Sequence, residues 1–115
     1  MTDVDAAALL LRTLLNENAT AEIRSLVLAG LEPRDMSIRI EYMMILRAAQ
    51  RIDQAGRQVS LDGLESEFVH PSAVGALLVL RSIHEDRESG PTDRGSVEEL
   101  IRFLVDFRDI EKTDD

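Results

Sequence analysis

Ile38, Tyr42, Ile45, Ala49 and Ile52 step by four, three, four and three residues. That spacing keeps one narrow apolar seam on a single face of an α-helix. Comparable three-and-four steps recur along nearly the whole chain. No run combines period two with β-branched residues, so no strand is expected. The fold class that follows is all-α, a compact bundle of about six helices with short connections.

The same periodicity sets the expected boundaries. Helices are expected over 4–16, 21–29, 38–55, 61–68, 73–84 and 97–111. Thr20, Ser37 and Ser60 stand where N-caps are needed. Gly30 and Gly56 stand where a helix can end on a residue with positive φ. The Ser96-Val97-Glu98-Glu99 stretch has the form of a capping box before the last helix. Residues 88–95, with two glycines and a proline, read as a flexible loop. One domain over 1–112 and an acidic tail over 113–115 complete the layout.

The fifth helix carries Val74, Leu77, Leu78, Val79, Leu80 and Ile83, the densest apolar content of the six. On that count it belongs at the centre. Leu78→Asp is then expected to unfold the domain by burying an unpaired charge.

Composition narrows the function. The chain has 115 residues with 22 acidic and 13 basic side chains, a net charge of -9. Nucleic-acid affinity rests on neutralising phosphates with Lys and Arg, so direct nucleic-acid binding is not expected. There is no Cys, which removes disulfides, thiolate metal sites and Cys nucleophiles. The acidic start lacks the basic region of a signal peptide, and no apolar run is long enough to span a bilayer. A cytoplasmic protein away from membranes is the expectation.

The catalytic inventory is thin. His70 and His84 are the only histidines, and His70 precedes a proline at a turn. His84-Glu85-Asp86 opens like a zinc-protease motif but lacks the second His. Glu65/Glu67, Glu98/Glu99 and Asp106/Asp109 read as carboxylates on solvated helix faces. No catalytic, cofactor-binding or metal-ligating residue is nominated, and the chain is not expected to be an enzyme.

Surfaces remain. Leu9, Leu10 and Leu11 are consecutive, so one of them must point away from the main stripe. The last helix is apolar nearly all round, with Val97, Ile101, Phe103, Leu104, Val105, Phe107 and Ile110. Such a helix is either buried centrally or docks a partner. Arg47 and Arg51 are i,i+4 neighbours on the outer side of the long third helix, where Glu41 and Asp53 are the expected ion-pair partners.

Within residues 10–68, the pairs Leu10-Leu11 and Leu14-Leu15, the link from Leu31 to Met36, the segment from Ile45 to Ala48 and the turn from Ala55 to Leu61 together resemble the N-terminal domain of DnaB-type replicative helicases and the related helicase-binding domain of DnaG-type primases. Leu10-Leu11 and Leu14-Leu15 stand like the opening leucine-rich helix of those families. Leu31-Glu32-Pro33-Arg34-Asp35-Met36 resembles the link after it, and Ile45-Leu46-Arg47-Ala48 resembles a segment of the long helix. Ala55-Gly56-Arg57-Gln58-Val59-Ser60-Leu61 resembles the turn into the next helix, with Ser60 in place of the usual capping Asp. The helicase motor and the primase catalytic domain have no counterpart, since no Walker A sequence occurs.

The resemblance implies a small helical bundle that does no chemistry. It implies a protein–protein interaction module acting in DNA replication, in helicase–primase contact, loading or assembly. The implied partner is a replicative helicase, a primase or a second copy of the chain, and the implied contact surfaces are the long third helix and the last helix, with Arg47, Arg51, Phe103 and Phe107 as the candidate partner-binding residues. The alternative, from charge alone, is a small acidic regulator that binds and neutralises a basic partner protein.

Overall fold

Thr2 opens the first helix by accepting the backbone N–H of Asp5 at 3.2 Å, while the Asp5 carboxylate accepts the Thr2 N–H at 3.3 Å. This reciprocal box satisfies two donors that the first turn would otherwise leave unpaired. The computed structural model describes the backbone of residues 2–113 and the side chains of residues 2–106. Six α-helices lie within them: α1 (Asp3–Leu15), α2 (Ala21–Gly30), α3 (Ile40–Gln54), α4 (Leu61–Glu67), α5 (Val74–Glu85) and α6 (Arg94–Thr113). Short 3-10 turns at Pro33–Met36, Pro71–Ala73 and Arg87–Ser89 join some of them. Among the described residues there is no strand, and no helix is long and apolar enough to cross a membrane.

The element at the centre is α1. It packs against α2, α3, α5 and α6 and most extensively against α6. Ala6, Ala7, Ala8, Leu10, Leu11, Leu14 and Leu15 are all buried. Alanines on several sides let neighbouring helices come close, and the leucines fill the space between them. Ile45, Leu46, Ala49 and Ile52 of α3 meet this core, as do Leu80 and Ile83 of α5 and Val97 and Leu104 of α6.

Placing α5 at the centre is therefore corrected. Ala76, Leu80 and Ile83 are its buried stripe, whereas Val74 and Leu78 are 51% and 59% exposed. Apolar count ranks a helix by content, but position depends on how closely its neighbours can approach. The alanine-rich α1 allows that approach on several sides. Leu78→Asp would consequently place its charge in water, and unfolding is no longer the expected outcome.

Two boundaries shift for identifiable reasons. The long helix starts at Ile40, two residues late, because the 3-10 turn at Pro33–Met36 precedes it and puts Met36 into the core. Ile38 then lies ahead of the helix and is 42% exposed, so the seam begins at Tyr42. Ser37 caps nothing there; Arg39 is the residue before the helix, and its guanidinium stacks 5.1 Å from the centroid of the Tyr42 ring. The last helix starts at Arg94, three residues early. Asp93 caps it by accepting the Ser96 N–H at 2.8 Å, so the Ser96 box is not its beginning. Ser96's N–H, and then its hydroxyl, hold the Asp93 carboxyl below its ordinary value.

Two glycines act differently from one another. Gly56 has a φ of 77° and ends α3 as expected, with Arg57 N–H reaching back to the Ile52 carbonyl at 3.1 Å. Gly30 does not take positive φ; it is the last residue of α2, and Ile101 of α6 rests against it. A Cβ there would stand 3.1 Å from the Ile101 Cδ1. The bare backbone thus lets α6 close onto α2.

Candidate functional site

The region read as a flexible loop is held to α1 along its first half. The Thr13 hydroxyl donates to the Pro91 carbonyl at 2.7 Å, with the Leu9 carbonyl of its own helix 3.1 Å away as the competing acceptor. Asn16 donates its side-chain N–H to the Gly90 carbonyl at 2.9 Å. Both side chains are buried, and buried polar groups need such partners. Gly90 lies directly on the α1 backbone: an added Cβ would collide with the Thr13 nitrogen and stand 2.6 Å from the Arg12 carbonyl carbon. The chain is thereby pinned just before α6 begins, which fixes how α6 lies along α1.

That arrangement leaves a groove of about 410 Å³ between the two helices. Leu9, Leu100, Phe103 and Pro91 give it apolar walls, and Ser89, Ser96 and Glu99 form its polar edge. Leu9 is the leucine that points away from the main stripe of α1, since Leu10 and Leu11 are fully buried. Phe103 is 39% exposed, while Leu100 and Leu104 on the neighbouring side of α6 are buried. So α6 contributes to the core and still presents an aromatic ring to solvent. A smaller hollow lined by Asp5, Ala8, Leu9 and Arg12 continues from Leu9 along α1.

The other candidate residues fall elsewhere. Arg47 and Arg51 are both exposed on the same face of α3, as their spacing requires. Neither pairs with Glu41 or Asp53. Arg51 instead reaches Glu67 of α4 at 3.5 Å, and Arg47 has no ion pair or hydrogen bond among the described residues. The interhelical partner is closer to hand because α4 folds back against α3. Glu65 does the same job toward α5, at 3.7 Å from Arg81. Phe107 lies outside the residues whose side chains are described. Since α1 is packed against both α3 and α6, which have at most marginal contact with each other, Arg47/Arg51 and Phe103 belong to separate surfaces.

The histidines take local roles or none. His70 Nδ1 accepts the Ser72 N–H at 3.1 Å and lies 2.7 Å from the Ser72 hydroxyl, capping the 3-10 turn that leads into α5. The His84 side chain has no hydrogen bond or ion pair among the described residues. Among the described residues no three His, Asp or Glu side chains are placed to hold a metal ion.

A second hollow, of about 420 Å³, lies between α2 and the link that follows α3. Sequence reasoning did not single it out, because Arg24 and Arg57 are far apart in the chain. Arg24 is fixed by donating to the Asn16 carbonyl at 3.0 Å, and the Arg57 guanidinium has no hydrogen bond or ion pair among the described residues. Asp53 shares the lining, so the hollow carries charges of both signs.

No family model, curated protein or solved structure matches this chain.

Proposed function

We propose that this chain is a non-catalytic protein–protein interaction module whose partner docks in the groove between α1 and α6. The observation that carries the reading is Phe103, an exposed aromatic ring set beside Leu9, Leu100 and Pro91 on a two-helix platform. Aromatic side chains that anchor in such grooves supply much of the affinity in protein interfaces. Pinning by Thr13, Asn16 and Gly90 keeps the groove shaped before a partner arrives, which lowers the entropic cost of association.

In its more specific form, the module acts in DNA replication and its partner is a replicative helicase or primase, or a second copy of the chain. The resemblance of residues 10–68 to the helicase and primase domains supports that form. Arg47, exposed and unpaired among the described residues on α3, is then a candidate for a second contact.

A tagged pull-down from the native host, compared between wild type and Phe103→Ser, tests the reading. The expected result is a replicative helicase or primase retained by the wild type and lost by the variant. Retention should persist when salt rises from about 0.1 M to about 1 M, over which the screening length falls from roughly 10 to 3 Å. A basic partner that Phe103→Ser still captures, and that high salt strips away, would replace this reading with the acidic-regulator alternative.

A further inference from the structure

We infer that the occupant of the α1–α6 groove is a cationic amphipathic helix of a partner protein, carrying an aliphatic side chain for Phe103 and flanking Lys or Arg residues. This rests on the reading of the groove as a docking surface and adds the chemistry of what docks.

Glu99, Phe103 and Asp106 follow steps of four and three, so both carboxylates share the outward strip of α6 that holds the ring. Both are exposed, and neither has an ion pair or hydrogen bond among the described residues. Across the groove, Asp5 lines the hollow that continues from Leu9. The apolar walls are therefore bordered by three carboxylates from two helices.

Of the three neighbouring cations, two are engaged elsewhere and one flanks the strip. Arg12 is engaged with Asp86 at 3.8 Å and the Ser89 hydroxyl at 3.4 Å. Arg94 bridges Glu98 and Glu22 at 2.8 and 3.0 Å. Arg102 is exposed and unpaired among the described residues, but lies about 100° round α6 from Phe103. It stands three residues after Glu99 and four before Asp106, so it flanks both carboxylates on the side away from the ring and leaves the ring side of the strip acidic.

A groove between two helices accepts a third by laying its apolar stripe on the floor. A helix with apolar residues at i and i+3 or i+4 would set one on the Phe103 ring and one beside Leu9. Its flanking cations would meet Glu99, Asp106 and Asp5. The chain's net charge of -9 would steer the same partner over longer range. An anionic helix would bring like charges to the border of the groove, a cost that selects against it.

The probes are two synthetic helices of about five turns with identical leucine spacing, one flanked by Lys and the other by Glu. Each is titrated into the full isotopically labelled chain and followed by amide chemical shifts. The Lys peptide should perturb Leu9, Leu100 and Phe103 saturably, and the Glu peptide should not. Phe103→Ser should weaken the Lys peptide by about tenfold or more, as loss of an anchoring aromatic does. The double variant Glu99→Gln/Asp106→Asn, confined to exposed positions, should slow association and leave dissociation nearly unchanged.

Perturbations centred on Val74 and Leu78 of α5, or equal response to both peptides, would overturn the assignment. An unchanged affinity in a folded Phe103→Ser variant would do the same. If host-partner capture still depends on Phe103 in that event, the groove is a docking surface for another chemistry. If capture is also indifferent to Phe103, the interaction reading itself falls.

Discussion

Helices α1 and α5 have similar apolar character and opposite fates. In α1, Leu10, Leu11 and Leu14 are 1% exposed or less, and three consecutive alanines are buried beside them. In α5, Leu80 is buried while Leu78, two residues away, is 59% exposed. The difference lies in the small residues. Alanines at 6, 7 and 8 let other helices press against several sides of α1, so its leucines are enclosed. In α5 full burial is confined to Ala76, Leu80 and Ile83; Leu77 and Val79 are partly buried against the core, and Val74 and Leu78 face solvent. Hydrophobic content states how much burial would be gained; side-chain size decides how many neighbours can deliver it.

The sharpest test of this contrast places the same charge in both helices. Leu14→Asp should abolish cooperative folding, because an unpaired carboxylate in the core costs more than the roughly 5 kcal/mol at the lower end of domain stability. Leu78→Asp should change stability by no more than about 0.5 kcal/mol, the usual range for a surface position. Urea unfolding followed by circular dichroism reads both. Equal damage from the two substitutions would mean that α5 is enclosed after all.

A smaller effect probes how α1 is held from outside. Gly90→Ala should destabilise by about 1–3 kcal/mol, since its methyl group overlaps the α1 backbone and the loop must lift to admit it. The lift would also strain the Thr13 and Asn16 hydrogen bonds and disturb the groove beside Leu9. Thermal melting gives the stability change, and amide shifts at Leu9 and Phe103 report the groove. A neutral Gly90→Ala would mean that 88–95 is not pinned.

The smallest effect belongs to the helix starts. Hydrogen bonds hold the carboxyls of Asp5 and Asp93 below their ordinary value of 3.8. A carboxyl with a lowered folded-state pKa contributes stability above its unfolded-state value and loses it as pH falls through the folded-state value. The contribution is thus present at neutral pH and disappears below about pH 4. Asp93→Asn retains a capping oxygen but cannot titrate, so its melting temperature should fall less steeply between about pH 5 and pH 2.5 than the wild type's. Parallel pH profiles would remove Asp93 from the acid response.

Much of the architecture was legible because its determinants are local. The Thr20 and Ser60 caps, the Gly56 stop and the Tyr42–Ile52 seam each follow from a few adjacent residues, and each occurs where expected. The site was legible in fragments. Three consecutive leucines announced that one would face away, and Phe103 stood out on an all-round apolar helix. Nothing local announced that Leu9 and Phe103 would meet, because Gly90 and Pro91 bring α6 alongside α1 through long-range hydrogen bonds. Arg51 shows the same division, its partner being Glu67 on another helix rather than a neighbour on its own.

By itself, then, the sequence determined an all-helical chain, most of its helix ends and an acidic surface, because periodicity, capping and charge act within a turn or two of the backbone. Tertiary structure alone decided which helix is central, which leucines see water, and which residues share the α1–α6 groove. Those outcomes depend on how closely pairs of helices approach, and that distance is set jointly by side chains remote in sequence.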